Sequence, residues 1–165
     1  MENKIIIKNE ITPLDIAKYF LLKAIGDGEL ISPLKMQKLV YYAYVWVLVL
    51  KNKKLFDEGI EAWPSGPVAP SLYKSLKIYG AAPISEDCLG SEKEVEKLLS
   101  KLPKEIVVVL DKVYEKYMTK TAFELVTLTH SENPWIQTRK GLTATDHTNK
   151  VISDELIITQ YGKKV

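Results

Sequence analysis

The sequence predicts a mostly α-helical single domain: about seven helices around one buried central helix over about residues 33–51, with a short β-hairpin near residues 54–63. Three observations predict it. The stretch SPLKMQKLVYYAYVWVLVL, from Ser32 to Leu50, is apolar on nearly every side of a helical wheel. Cap signals recur along the chain, each followed by apolar residues at helical spacing. The 165 residues, 46% of them apolar and 27% charged, suit one globular domain. A chain of this size buries roughly 70% of its unfolded surface, enough for a substantial core.

The central helix comes first because the others must cover it. Ser32 is a good N-cap, and Pro33 fits the first turn, where its missing N–H costs nothing. Met36, Leu39, Val40, Ala43, Val47 and Leu50 share one face. Tyr41, Val45 and Leu48 lie opposite, flanked by Tyr42, Trp46 and Val49. After Lys35 only Gln37 and Lys38 are strongly polar. Such a helix is buried in its own domain or in a membrane. A span needs about 20 apolar residues. This stretch is shorter and carries Lys38 inside, so a core helix is predicted.

The remaining elements follow in order. Ile5–Ile7 reads as a short strand or apolar arm, within an N-terminal arm over 1–11 that precedes a core over 12–162. Thr12 caps a helix with Pro13 at its first position and Asp15 near its positive end, and Gly26-Asp27-Gly28 stops it. Leu55-Phe56 and Ile60–Trp63 read as paired extended pieces around Asp57-Glu58-Gly59. Pro64–Pro70 reads as a rigid loop. Leu72, Tyr73, Leu76 and Tyr79 have helical spacing, and Gly80 ends that helix. Residues 81–90 form a surface connection. Ser91 with Glu94, and Thr121 with Glu124, are capping boxes. Between them Pro103 starts a helix striped by Ile106, Val109, Leu110, Val113 and Tyr117. His130–Trp135 is a turn, Pro134 starts a short helix, and Ser153 caps the last one.

Several function classes are disfavoured. Net charge is only +2, and a single arginine, Arg139, stands among 23 basic residues. Base readout and phosphate clamping favour arginine, so a DNA reader is not expected. The lone Cys88 allows no internal disulfide and no cysteine-rich zinc site. The start, MENKIIIKNE, does not read as a signal peptide, and a cytoplasmic location is expected. His130 and His147 lack metal-ligand spacing, and neither a P-loop nor GxSxG occurs. Glu58, Glu61, Glu86 and Asp87 read as a solvated face. No catalytic residue, cofactor or metal ligand is assigned. Trp63, Tyr73 and Trp135, in or beside proline-containing turns, either pack over the ends of the central helix or form an interaction surface.

The pieces PLKMQKLVYYA (33–43), Trp46, LFDE (55–58), EAW (61–63) and GPVAPSLY (66–73), followed by Thr129-His130 and Pro134-Trp135, resemble the Panacea domain of SocA-like and phage GepA-like antitoxins. The resemblance runs over about residues 12–162. Members often carry an aromatic residue or His where this chain has Ser65. The resemblance implies a non-enzymatic antitoxin that neutralises a cognate protein toxin, encoded beside it, by direct binding that blocks the toxin's active site. Alarmone-synthetase-like pyrophosphokinases acting on tRNA or nucleotides are one implied toxin class. Delivery of the toxin to a ClpXP-type protease is the alternative. An enzyme reversing the toxin's modification, through Glu58, Glu61 or His130, is the alternative of another class. The contact residues expected are Trp63, Ser65, Tyr73, Tyr79 and Trp135. A homo-oligomer or a heterotetramer with the toxin stays open, as does autoregulatory DNA binding; no membrane partner is expected.

Overall fold

The computed structural model describes residues 10–165, so the Ile5–Ile7 strand or arm lies outside the described residues. The helices are α1 (Pro13–Gly26), α2 (Pro33–Lys51), α3 (Pro70–Leu76), α4 (Glu92–Lys101), α5 (Lys104–Tyr117), α6 (Ala122–His130), α7 (Asn133–Thr138) and α8 (Asp154–Tyr161). One hairpin, β1 (Glu61–Trp63) with β2 (Gly66–Val68), lies between α2 and α3. Local sequence sets the helix starts. Thr12/Asp15, Ser91/Glu94 and Thr121/Glu124 each form a reciprocal capping box, and Ser32 and Ser153 accept from the backbone three residues on. Asn52, in the left-handed region at φ 52°, ends α2.

A shell of helices solves the burial problem of α2. Helices α1, α3, α5, α6 and α8 and strand β2 all pack against it. Its residues from Met36 to Val45 are buried without exception, Gln37 and Lys38 included. Tyr42 stacks on Tyr117 with ring centres 4.1 Å apart, and the Trp46 indole donates to the Tyr117 hydroxyl at 2.8 Å. Among the described residues no helix is long and apolar enough to cross a membrane.

The hairpin differs from the expected one. Leu55 and Phe56 are buried and lie outside both strands, whereas Gly66-Pro67-Val68, expected as loop, is the second strand. Proline disfavours a strand because it cannot donate to the ladder. Here the register removes that objection. Pro67 faces Ala62, whose N–H turns away to the Lys150 carbonyl (3.0 Å) and whose carbonyl accepts from Arg139. No N–H is needed at Pro67. Strand β1 also bridges Val151 on its other side, and Ile152 donates to the Ile60 carbonyl at 2.8 Å.

Candidate functional site: a clasped hairpin beside an apolar cleft

The hairpin and the residues after it are held by side chains from three directions. From α2, the Gln37 side-chain amide donates to the Ala69 carbonyl (3.2 Å) and accepts from the Ala69 N–H (3.0 Å). One residue on, the Lys38 ammonium donates to the Pro67 carbonyl at 2.9 Å. From α7, the Trp135 indole donates to the Trp63 carbonyl at 2.8 Å. Just past α7, Arg139 donates to the carbonyls of Ala62 (2.7 Å), Thr143 (2.8 Å) and Asp146 (2.8 Å). A short two-stranded ribbon is marginal on its own. These four side chains satisfy backbone groups that the ribbon itself leaves unpaired.

Lys38 is the unusual member. It has no exposed surface, and among the described residues no carboxylate pairs with it. Desolvation alone lowers its pKa from 10.5 to about 7. Gly66 makes room for it. A Cβ on Gly66 would sit 2.8 Å from Lys38 Cε and 2.9 Å from Thr129 Oγ1, and φ there is +106°. Only glycine adopts that backbone readily and leaves that space.

His130 lies on the same side, its ring stacked on Trp135 with centres 4.0 Å apart, and Arg139 lies over the Trp135 ring. Burial lowers the His130 pKa, and nearby Lys38 and Arg139 lower it further, against the opposing pull of the Pro64 carbonyl. Among the described residues its Nε2 has no hydrogen-bond partner, and it is buried. The imidazole therefore stacks on Trp135 in a setting that disfavours its charged form.

The hairpin's outer surface is aromatic. Trp63 meets Tyr73 edge-on at 5.0 Å and His147 at 5.8 Å, and its indole donates to Glu61 at 2.5 Å. A cleft of about 250 Å³ opens between the hairpin, the start of α2 and α3. Trp63, Ser65 and Tyr73 line it with Pro33, Leu34, Val68 and Leu76. Tyr73 and Leu34 stay 47% and 40% exposed at its rim. Glu58 accepts from the Ser71 N–H and hydroxyl, which anchors the start of α3. Among the described residues no cluster of His, Cys, Asp or Glu is placed to hold a metal.

Of the five expected contact residues, the structure brings Trp63, Ser65 and Tyr73 together at this cleft. Trp135 is next to them but half-buried, its indole N–H turned inward as a clasp. Tyr79 is not among the cleft residues; it lies half-buried against the core. The clasp residues Gln37, Lys38 and Arg139 were not anticipated as site residues. Their only sequence signal is polarity where a core helix should be apolar, and a single arginine among lysines. Glu132 is a further buried polar group without a forewarning pattern. It accepts from the Tyr42 hydroxyl at 2.5 Å and pairs with Lys164 at 3.8 Å.

Comparison with known proteins bears on the same residues. The family model of the SocA-like antitoxin Panacea domain matches residues 36–136, from the start of the clasp on α2 to just past Trp135. Antitoxin SocA of Caulobacter vibrioides (strain NA1000 / CB15N) is 38% identical over 65 residues, which is 39% of this chain. The matched stretch spans 35% of that relative's length. No solved structure matches the chain.

Proposed function

The chain belongs to the SocA-like Panacea-domain antitoxin family, and from that premise we propose that it neutralises a cognate protein toxin in the cytoplasm by binding it directly and covering its active site. One observation carries the reading. A rigidly clasped hairpin presents Trp63, Ser65 and Tyr73 on an apolar cleft that none of the described residues fills. Aromatic anchors of this kind bury much area with few rotors, and they dominate binding hot spots. A preorganised surface also loses little freedom on association. The clasp side chains Gln37, Lys38 and Arg139 are engaged by backbone, which suits a binding surface better than an acid–base site. Toxins of the alarmone-synthetase-like pyrophosphokinase class, whose nucleotide site can be occluded by a bound protein, are the class proposed.

The test is co-expression with the small toxic reading frame adjacent to this gene. The wild-type chain should restore growth. Trp63→Ala combined with Tyr73→Ala should abolish rescue, while circular dichroism and thermal melting show a folded protein. Because the two rings are only partly buried, the melting point should fall by a few degrees at most. Full rescue by the double variant would place the toxin contact elsewhere. Rescue that disappears in a strain lacking the ClpXP protease would favour the adaptor role over occlusion.

A further inference from the structure

We infer that the cleft takes one large apolar side chain from a toxin segment that carries a carboxylate beside it; this rests on the antitoxin reading above and specifies its partner. The apolar walls are Trp63, Tyr73, Leu34, Pro33, Val68 and Leu76. Of the three polar side chains that line it, Gln37 is fully engaged by Ala69 on both its oxygen and its nitrogen. Ser65 and Lys77 remain. No carboxylate lines the cleft, and among the described residues Lys77 makes no ion pair. The mouth therefore carries one lysine without an ion pair among the described residues, beside an apolar floor. An apolar anchor flanked by an acidic residue is the complementary shape and charge.

Strand addition is the other way an extended segment could dock here, and the geometry disfavours it. Pro67 has no N–H, and its carbonyl is already taken by Lys38. The outer edge of β2 thus has little to offer an incoming backbone at its middle residue. Recognition has to go through side chains. The clasps beneath β2 keep the cleft formed before binding, so its opening is not created by the partner.

The test fills the cleft from its rim. Ser65 is exposed and has an ordinary negative φ, so Ser65→Phe places a ring over the opening without backbone strain. Lys77→Glu reverses the charge at the mouth on an exposed residue. Both would be titrated against the purified product of the adjacent toxic reading frame by isothermal calorimetry, with melting curves alongside. Ser65→Phe should weaken binding at least tenfold and Lys77→Glu several-fold, with melting temperatures near wild type. Should Ser65→Phe fail to fold, Lys77→Glu decides alone. Wild-type affinity in both variants would overturn the inference while leaving toxin binding intact. So would a wild-type dimer that Ser65→Phe splits with toxin affinity unchanged, since a second copy would then be the occupant. A wild-type chain that does not bind the toxin overturns the antitoxin reading itself, and this inference with it.

Discussion

Gly66→Ala is expected to lower the unfolding free energy by roughly 2–4 kcal/mol, from backbone strain and overpacking together. The residue sits at φ +106°, a region that side chains with a Cβ rarely adopt. The added methyl would also approach Lys38 Cε at 2.8 Å and Thr129 Oγ1 at 2.9 Å. Neither neighbour retreats easily. Thr129 is buried with its hydroxyl donating to the Val126 carbonyl at 2.8 Å, and Lys38 is sealed between α2 and β2. The chain must therefore shift β2 or surrender the Lys38 bond to Pro67. Urea unfolding of Gly66→Ala beside Ser65→Ala measures this. Ser65, one position earlier and exposed, should cost less than about 0.5 kcal/mol, as surface substitutions do. Equal stability of the two variants would mean that Gly66 is not the pivot of the hairpin.

The second large effect is a pH dependence that belongs to Lys38. Its pKa is about 7 in the folded chain and near 10.5 when exposed. Between those values the unfolded chain holds a proton that the folded chain does not. Stability therefore rises with pH across that window, with a slope of up to about 1.4 kcal/mol per pH unit. Below pH 7 the lysine is charged in both states and its contribution is flat at its minimum. His130, whose pKa is lowered by burial, adds a loss of stability only below its ordinary value of 6.5. Cys88 and the buried tyrosines, raised by burial, oppose the trend only near pH 9 and above. Lys35, also lowered by burial, adds in the same direction below 10.5, so denaturant unfolding at pH 7, 8 and 9 assigns the rise to Lys38 by comparison with a Lys38 variant. The wild-type chain should gain stability over that range, and Lys38→Met should show no comparable rise. The methionine leaves the Pro67 carbonyl unpaired, a cost of about 1–3 kcal/mol, but removes a buried amine. An unchanged slope in Lys38→Met would mean that another group titrates.

Much of this fold was legible in the sequence because helix starts are written locally. Thr12, Ser32, Ser91, Thr121 and Ser153 each make the capping bond that their spacing implies. The all-round apolar character of residues 36–48 likewise required a shell, and the shell is there. The hairpin was less legible. Its two halves were expected on either side of Asp57-Glu58-Gly59, yet the turn falls at Pro64-Ser65. Proline at the middle of a strand argues against pairing until the register shows that its partner Ala62 bonds elsewhere. The clasp was illegible for a different reason. Gln37 and Lys38 meet Ala69 and Pro67 across about thirty residues of chain, and no local pattern encodes that meeting. Polarity inside an apolar helix marked the positions without naming their partners. Trp63 and Tyr73 could be named as surface aromatics from their proline-rich setting, but their edge-on contact at 5.0 Å follows only from the path of the hairpin into α3. Tyr79 has the same spacing logic as Tyr73 and is nevertheless absent from the cleft, in the 3₁₀ turn over Lys77–Tyr79 that follows α3.

Direct neutralisation by binding is tested most sharply by titrating purified toxin activity with the purified chain, with no protease present. A linear loss of toxin activity that ends at a fixed integer ratio, together with a stable complex on gel filtration, is the predicted result. Complete inactivation at a small fraction of that ratio would contradict it, since only turnover gives more than one toxin silenced per chain. Full toxin activity in the presence of excess chain would contradict it equally.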